Sequence, residues 1–221
     1  MLAVKFIIKQ SININMFTKI KLVLFNWLHK TTVYKYVMIK IVPYIRFSIY
    51  YTSFTGIKYN VLAENMKPGD VILCTDSKKL TTMLVPGEFS HAALCVSNDG
   101  VWETSEMNHY DYDKTTLFDI CKMSDRVVLL RPQLPDSVIN EAVERCKSFE
   151  NINYDITFTL NVKTLYCSEL VYMSYTGNSL EVNVSDEVGL GKPYVSPTGL
   201  YNSNKLKVII DSDNISADSI K

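Results

Sequence analysis

The first 63 residues contain no aspartate or glutamate, although the 221-residue chain carries 23 acidic side chains. The same segment holds nine basic residues, eight lysines and Arg46, so a formal net charge of zero conceals a basic N-terminal part and an acidic remainder. That asymmetry argues for two parts with separate roles, 1–63 and 64–210, followed by a polar tail at 211–221. Cysteine is also sparse: Cys74, Cys95, Cys121, Cys146 and Cys167 form no C-x-x-C pair. This spacing excludes a thioredoxin-type motif and the usual zinc ribbons, and the odd count leaves one thiol over in any full pairing, which fits a reducing compartment. A zinc site from His91, Cys95 and Cys167 lacks a fourth ligand, so neither a metal nor another cofactor is expected.

Long apolar runs are missing as well. Asn13, Asn15 and Lys19 interrupt the start of the chain, and Pro43 and Arg46 break the apolar stretch from Ile41 to Ile57. No spanning helix is expected, and no small-residue cleavage site marks a secretory signal. The expected location is cytoplasmic or peripheral to a membrane. The basic residues stand singly among bulky apolar ones instead of forming a solvated cluster, which speaks against nucleic acid as a partner. In "MFTKIKLVLFNWLHK", Phe17, Ile20, Val23, Leu24, Trp27 and Leu28 fall near one helical face. Such a helix suits docking of residues 1–60 to an anionic membrane surface or a protein partner, or packing against the rest of the chain.

The character changes at "NMKPGDVILCTD", where a Pro-Gly-Asp turn leads into a buried strand. Strands are expected at Ala92–Ser97 and Val101–Thr104, joined by Asn98-Asp99-Gly100 as a hairpin turn. "RVVLLRP" reads as a further strand, and Val138, Ile139, Ala142, Val143, Cys146 and Phe149 recur at helical spacing behind the capping candidates Asp136 and Ser137. Another helix starts near Cys167, and "KLKVII" reads as the last strand. The class is therefore α+β with a mainly antiparallel sheet.

Cys167 stands apart from the other cysteines because "YCSELVYMSY" puts it at a helix start, where unpaired N–H groups favour thiolate. A thiol nucleophile needs an imidazole base and a polar group to orient that base. The chain has three histidines: His29 lies in the basic segment, His109 in the polar loop "MNHYDYD", and His91 at the entrance to an apolar strand. His91 is the candidate base. Its orienting partner should come from the neighbouring strand, which offers Glu103 or, in a different turn register, Glu106.

In order, "KPGDVIL", "FSHAALCV", "GVWETS", "NYDITF", "YCSELVY" and "VSPTGLYNS" resemble the circularly permuted branch of the NlpC-type papain-like cysteine hydrolases, the YiiX/YebB-like group, with lecithin:retinol acyltransferase-like enzymes as distant relatives. The histidine precedes the cysteine, as in the permuted branch. The resemblance implies a permuted papain-like fold over residues 64–210, with Cys167 as nucleophile, His91 as base and Glu103 as the third, polar member. It implies a thiol hydrolase or acyltransferase passing through an acyl-enzyme, with a peptide or lipid substrate. The competing expectation is a catalytically silent binding or scaffold protein with the same fold. Tyr154-Asp155, at the family's "YD" position, is expected to build the turn before the nucleophile.

Overall fold

The computed structural model describes residues 31–41, 45, 56–77, 87–98, 103–107, 112–160, 163–176, 178–184 and 193–215. The amphipathic pattern at 16–30, His29, His109 and the end of the tail lie outside the described residues.

Six strands form one antiparallel sheet: β1 (Val71–Thr75), β2 (His91–Ser97), β3 (Glu103–Met107), β4 (Tyr112–Thr116), β5 (Arg126–Pro132) and β8 (Leu206–Asp211), in the order β4-β3-β2-β1-β5-β8. A second, two-stranded parallel ladder joins β6 (Asn153–Tyr154) to β7 (Thr164–Leu165). The central strands read as unbroken apolar runs because both faces of the sheet are covered. Val71, Leu73, Ala92, Leu94, Val128 and Leu130 pack under helices α4 (Asp136–Lys147) and α5 (Cys167–Ser174). Their alternates Ile72, Cys74, Ala93, Cys95, Val127 and Leu129 pack under α2 (Gly56–Asn65) and α3 (Leu117–Met123). The other α-helices among the described residues are α1 (Thr32–Lys40) and the short α6 (Pro197–Tyr201).

Helix α2 runs across the expected boundary at 63/64. Leu62 and, just past the helix, Met66 are 0% and 2% exposed against the sheet. Arg131 of β5 ties that end down. Its guanidinium donates to both oxygens of buried Asp70 at 2.9 and 2.7 Å and to the Asn65 carbonyl at 2.6 Å. At the turn that follows, Gly69 has φ +89, and a side chain there would collide with Ile139; its carbonyl accepts the Tyr175 hydroxyl.

Strand β4 starts within the segment the sequence suggests is a polar loop, and a short helix not expected from the sequence follows it. The edge strand β4 hydrogen-bonds along β3, and α3 is capped by Thr116, whose hydroxyl oxygen accepts the Asp119 N–H at 3.1 Å and whose O–H donates to the Asp119 carboxylate. The cap of α4 differs as well. Pro135 occupies that position without a side-chain bond, and Asp136 is the first helical residue, where its charge faces the positive end of the dipole.

The turn expected at Asn98-Asp99-Gly100 lies largely outside the described residues, but the pairing of the two strands is set. Ser97 pairs with Glu103, and a bulge between Cys95 and Ser97 shifts the register. Among the described residues the second strand is Glu103–Met107, and its residues lie opposite positions of β2 nearer the turn than a Ser97–Val101 pairing would give.

Candidate active site

Helix α5 starts at Cys167, one residue after the extended Tyr166, and its first turn is buried on all sides. The Glu169 carboxylate turns back to accept the Tyr166 N–H at 3.4 Å, and the Ser168 hydroxyl donates to the Val195 carbonyl at 2.7 Å. These bonds fix the helix start, so the thiol position is set by the backbone. Cys167 itself is 5% exposed.

His91 is the first residue of β2, paired with Cys74 on β1. The turn before it is bonded on two sides: the Ser90 N–H donates to the Cys74 carbonyl at 3.1 Å, and the Thr75 hydroxyl donates to the Glu88 carbonyl at 2.8 Å. Helix α5 lies across β2 and β3, which brings the thiol to this end of the sheet.

Cys167 and His91 are hydrogen-bonded side chain to side chain. Burial opposes ionisation of the thiol. The His91 hydrogen bond, the imidazolium charge, and the backbone N–H groups of Ala92 and Ser168 outweigh it, and hold the thiol below its ordinary pKa. The contrast with other cysteines is chemical. Burial pushes Cys95 up to about 12, helped by the Asp70 charge and partly offset by a Ser97 backbone bond, and burial pushes Cys121 to about 12 with Cys74 adding to it. Those two are inert packing groups, whereas Cys167 has the environment of a nucleophile.

The parallel β6–β7 ladder pairs Tyr154 with Leu165 and sets it beside the start of α5. Burial first, and then the negative charge on Cys167, hold the Tyr154 phenol well above its usual pKa, so it remains an O–H donor. Asp155 builds a turn. Its Oδ1 accepts the Thr157 N–H and hydroxyl at 2.7 and 2.6 Å, and its Oδ2 accepts the Thr159 N–H at 2.8 Å. Inside this clamp Phe158 takes a left-handed conformation, φ 50, unusual for an aromatic residue. Its ring meets Tyr166 and Tyr194 edge-on at 5.4 and 5.8 Å, while those two rings stack at 5.2 Å. One flank of the nucleophile is thus an aromatic wall.

The structure brings Cys167 and His91 together, but Glu103 lies elsewhere on the sheet. Opposite Ser97, it sits six residues along β2 from His91, roughly 20 Å at strand spacing. Glu106 pairs with Ala93, which places it diagonal to His91 in the register of the two strands. The bulge between Cys95 and Ser97 shifts this register. Residues 194–198, which pin both the helix start and the turn before His91, carried no local signal of that role in the sequence.

Among the described residues, no three His, Cys, Asp or Glu side chains gather in a way that could hold a metal ion. No curated protein matches the chain. A solved structure described as the metalloprotein yiiX from Escherichia coli O157:H7 shares the fold, with a TM-score of 0.55 at 18% identity over 65% of this chain and 96% of that one. A model of the permuted papain-like amidase enzymes, YaeF/YiiX, C92 family, matches residues 65–213, which take in every strand from β1 to β8. On that match, and on a fold in which the histidine strand precedes the cysteine helix, the chain belongs to the permuted papain-like amidase family.

Proposed function

We propose that the protein is a cysteine amidase that cleaves a peptide-type amide through an acyl-enzyme. His91 takes the Cys167 proton, the thiolate attacks the carbonyl carbon, and His91 returns the proton to the leaving amine. Water, deprotonated by His91, then attacks the thioester and releases the acid. Glu106 orients the imidazole in place of Glu103. The developing oxyanion is met by the Cys167 N–H at the helix start and by the Tyr154 hydroxyl, which stays protonated throughout the working pH range. The observation that carries this reading is the buried thiol held below its ordinary pKa by its bond to His91.

Amide is preferred to lipid ester because the family is an amidase family. The test is alkylation of the full chain with iodoacetamide at neutral pH, located by peptide mass spectrometry, followed by a screen of peptidyl amides against lipid esters. Fast labelling at Cys167 that is lost in His91→Ala supports the reading. Slow labelling indifferent to His91 refutes it and favours a binding protein with the same fold. A preference for ester substrates would move the assignment to lipid acyl hydrolysis or transfer. The basic residues of 1–60 are proposed to dock on an anionic membrane surface; equal sedimentation with neutral and anionic vesicles would refute that.

A further inference from the structure

We infer that residues 194–198 form a bracket that holds the nucleophile and the base in register, with Thr198 as a positioning residue for His91. This rests on the Cys167–His91 reading above. One end of the segment grips the nucleophile helix. The Val195 N–H donates to the Tyr166 hydroxyl oxygen at 2.9 Å, its carbonyl accepts the Ser168 hydroxyl at 2.7 Å, and Tyr194 stacks on Tyr166. The two residues so held flank Cys167 on either side.

The other end grips the turn that delivers the base. Thr198 Oγ1 accepts the Glu88 N–H at 2.9 Å and the Phe89 N–H at 3.3 Å, which fills the hydroxyl's two acceptor sites. Phe89 is two residues from His91. The approach is close enough that Gly87, at φ +104, has Thr198 where a side chain would stand. Between the two ends the chain is rigid: Val195 and Ser196 are buried, Pro197 fixes the backbone, and the Ser196 hydroxyl oxygen accepts the Gly199 N–H at 2.8 Å to start α6.

Without this segment, Cys167 and His91 are carried by a helix and a strand joined through 75 intervening residues. With it, a five-residue span bonded to both sets their separation. A misplacement of about 1 Å between reacting groups can cost on the order of a hundredfold in rate, so a short strut has a direct kinetic consequence. Thr198 touches no reacting atom; it acts on the thiol through the position of His91.

The experiment is the pH profile of Cys167 alkylation by iodoacetamide in the full chain, with Cys95 labelling as the reporter of unfolding because that thiol is fully buried in the sheet. Thr198→Val keeps the shape but removes both acceptor sites, and Thr198→Ala removes them without a branched side chain beside Gly87. Each is expected to raise the midpoint by about one pH unit, which is about tenfold slower labelling at any pH well below both midpoints. Thr198→Ser should restore the wild-type profile. If His91→Ala leaves the wild-type midpoint unchanged, the Cys–His pairing itself is refuted. If His91→Ala shifts it while a folded Thr198→Val or Thr198→Ala chain does not, the bracket alone is overturned. Hydrogen exchange of the wild type provides a check independent of any variant: the Phe89 amide must be protected like the β2 amides, and exchange at the rate of an open loop would also overturn the bracket.

Discussion

A thiol becomes a nucleophile by environment, and this chain supplies its own controls. Cys95 and Cys121 are buried among apolar groups and pushed up to about 12, whereas Cys167, just as buried, is held below the ordinary value by His91 and two backbone N–H groups. At pH 7, alkylation should therefore fall on Cys167 and spare the other two. Its rate should decline as the pH drops through the depressed thiol pKa, instead of near 8.5 as for a free cysteine. The orienting carboxylate gives a sharper test. If Glu106 orients the imidazole as proposed, Glu106→Gln should lower turnover roughly tenfold or more, while Glu103→Gln should leave turnover near wild type. Cys167 and His91 were legible in the sequence because a helix start and a strand entrance are local signals. Which of Glu103 and Glu106 lies nearer His91 in the strand register was not, because that depends on the bulge between Cys95 and Ser97.

At the scale of elements, the turn before β2 and the last strand are joined by one side chain. Arg126 donates to both oxygens of Asp211 on β8 at 3.0 and 2.7 Å, pairs with Glu88 in the turn, and lies 4.9 Å over the Phe89 ring. Burial works against ionised Asp211, but the Arg126 bonds and charge, with the Asp213 N–H, keep its carboxyl below the usual carboxylate range. A depressed folded pKa stabilises the protein above the unfolded value of about 3.9, and that contribution is lost as pH falls through the folded value. Asp211→Asn should thus lower the urea midpoint at pH 6 and make little difference at pH 2. On the same turn, Gly87→Ala forces a side chain at positive φ onto Thr198 and should cost about 1–3 kcal/mol in denaturant unfolding. The apolar strands and α4 could be read from periodicity. Strand β4, "YDKTT", could not: an edge strand bonded on one side keeps polar residues and shows little apolar alternation.

For the whole molecule, the sheet has two faces and needs two covers. Charge alone placed the boundary at 63/64, which separates α2 from the surface it protects. Composition could mark where acidic residues begin, but not which basic-segment residues supply core. Leu62 and Met66 join Ile72, Cys74, Ala93, Cys95, Val127 and Leu129 in one apolar cluster, and Arg131 bonds the Asn65 carbonyl at the end of the helix. Helix α2 thus supplies core to the sheet although the family match begins at residue 65. Leu62→Ala should cost about 2–5 kcal/mol, the range for a large side chain removed from a packed core. A chain starting at residue 56 should keep a cooperative urea transition, whereas one starting at residue 64 should expose the second face of the sheet and lose that transition or aggregate. If the shorter chain unfolds with the same midpoint as the longer one, α2 is an appendage on a core already complete without it, and the charge boundary is the structural one after all.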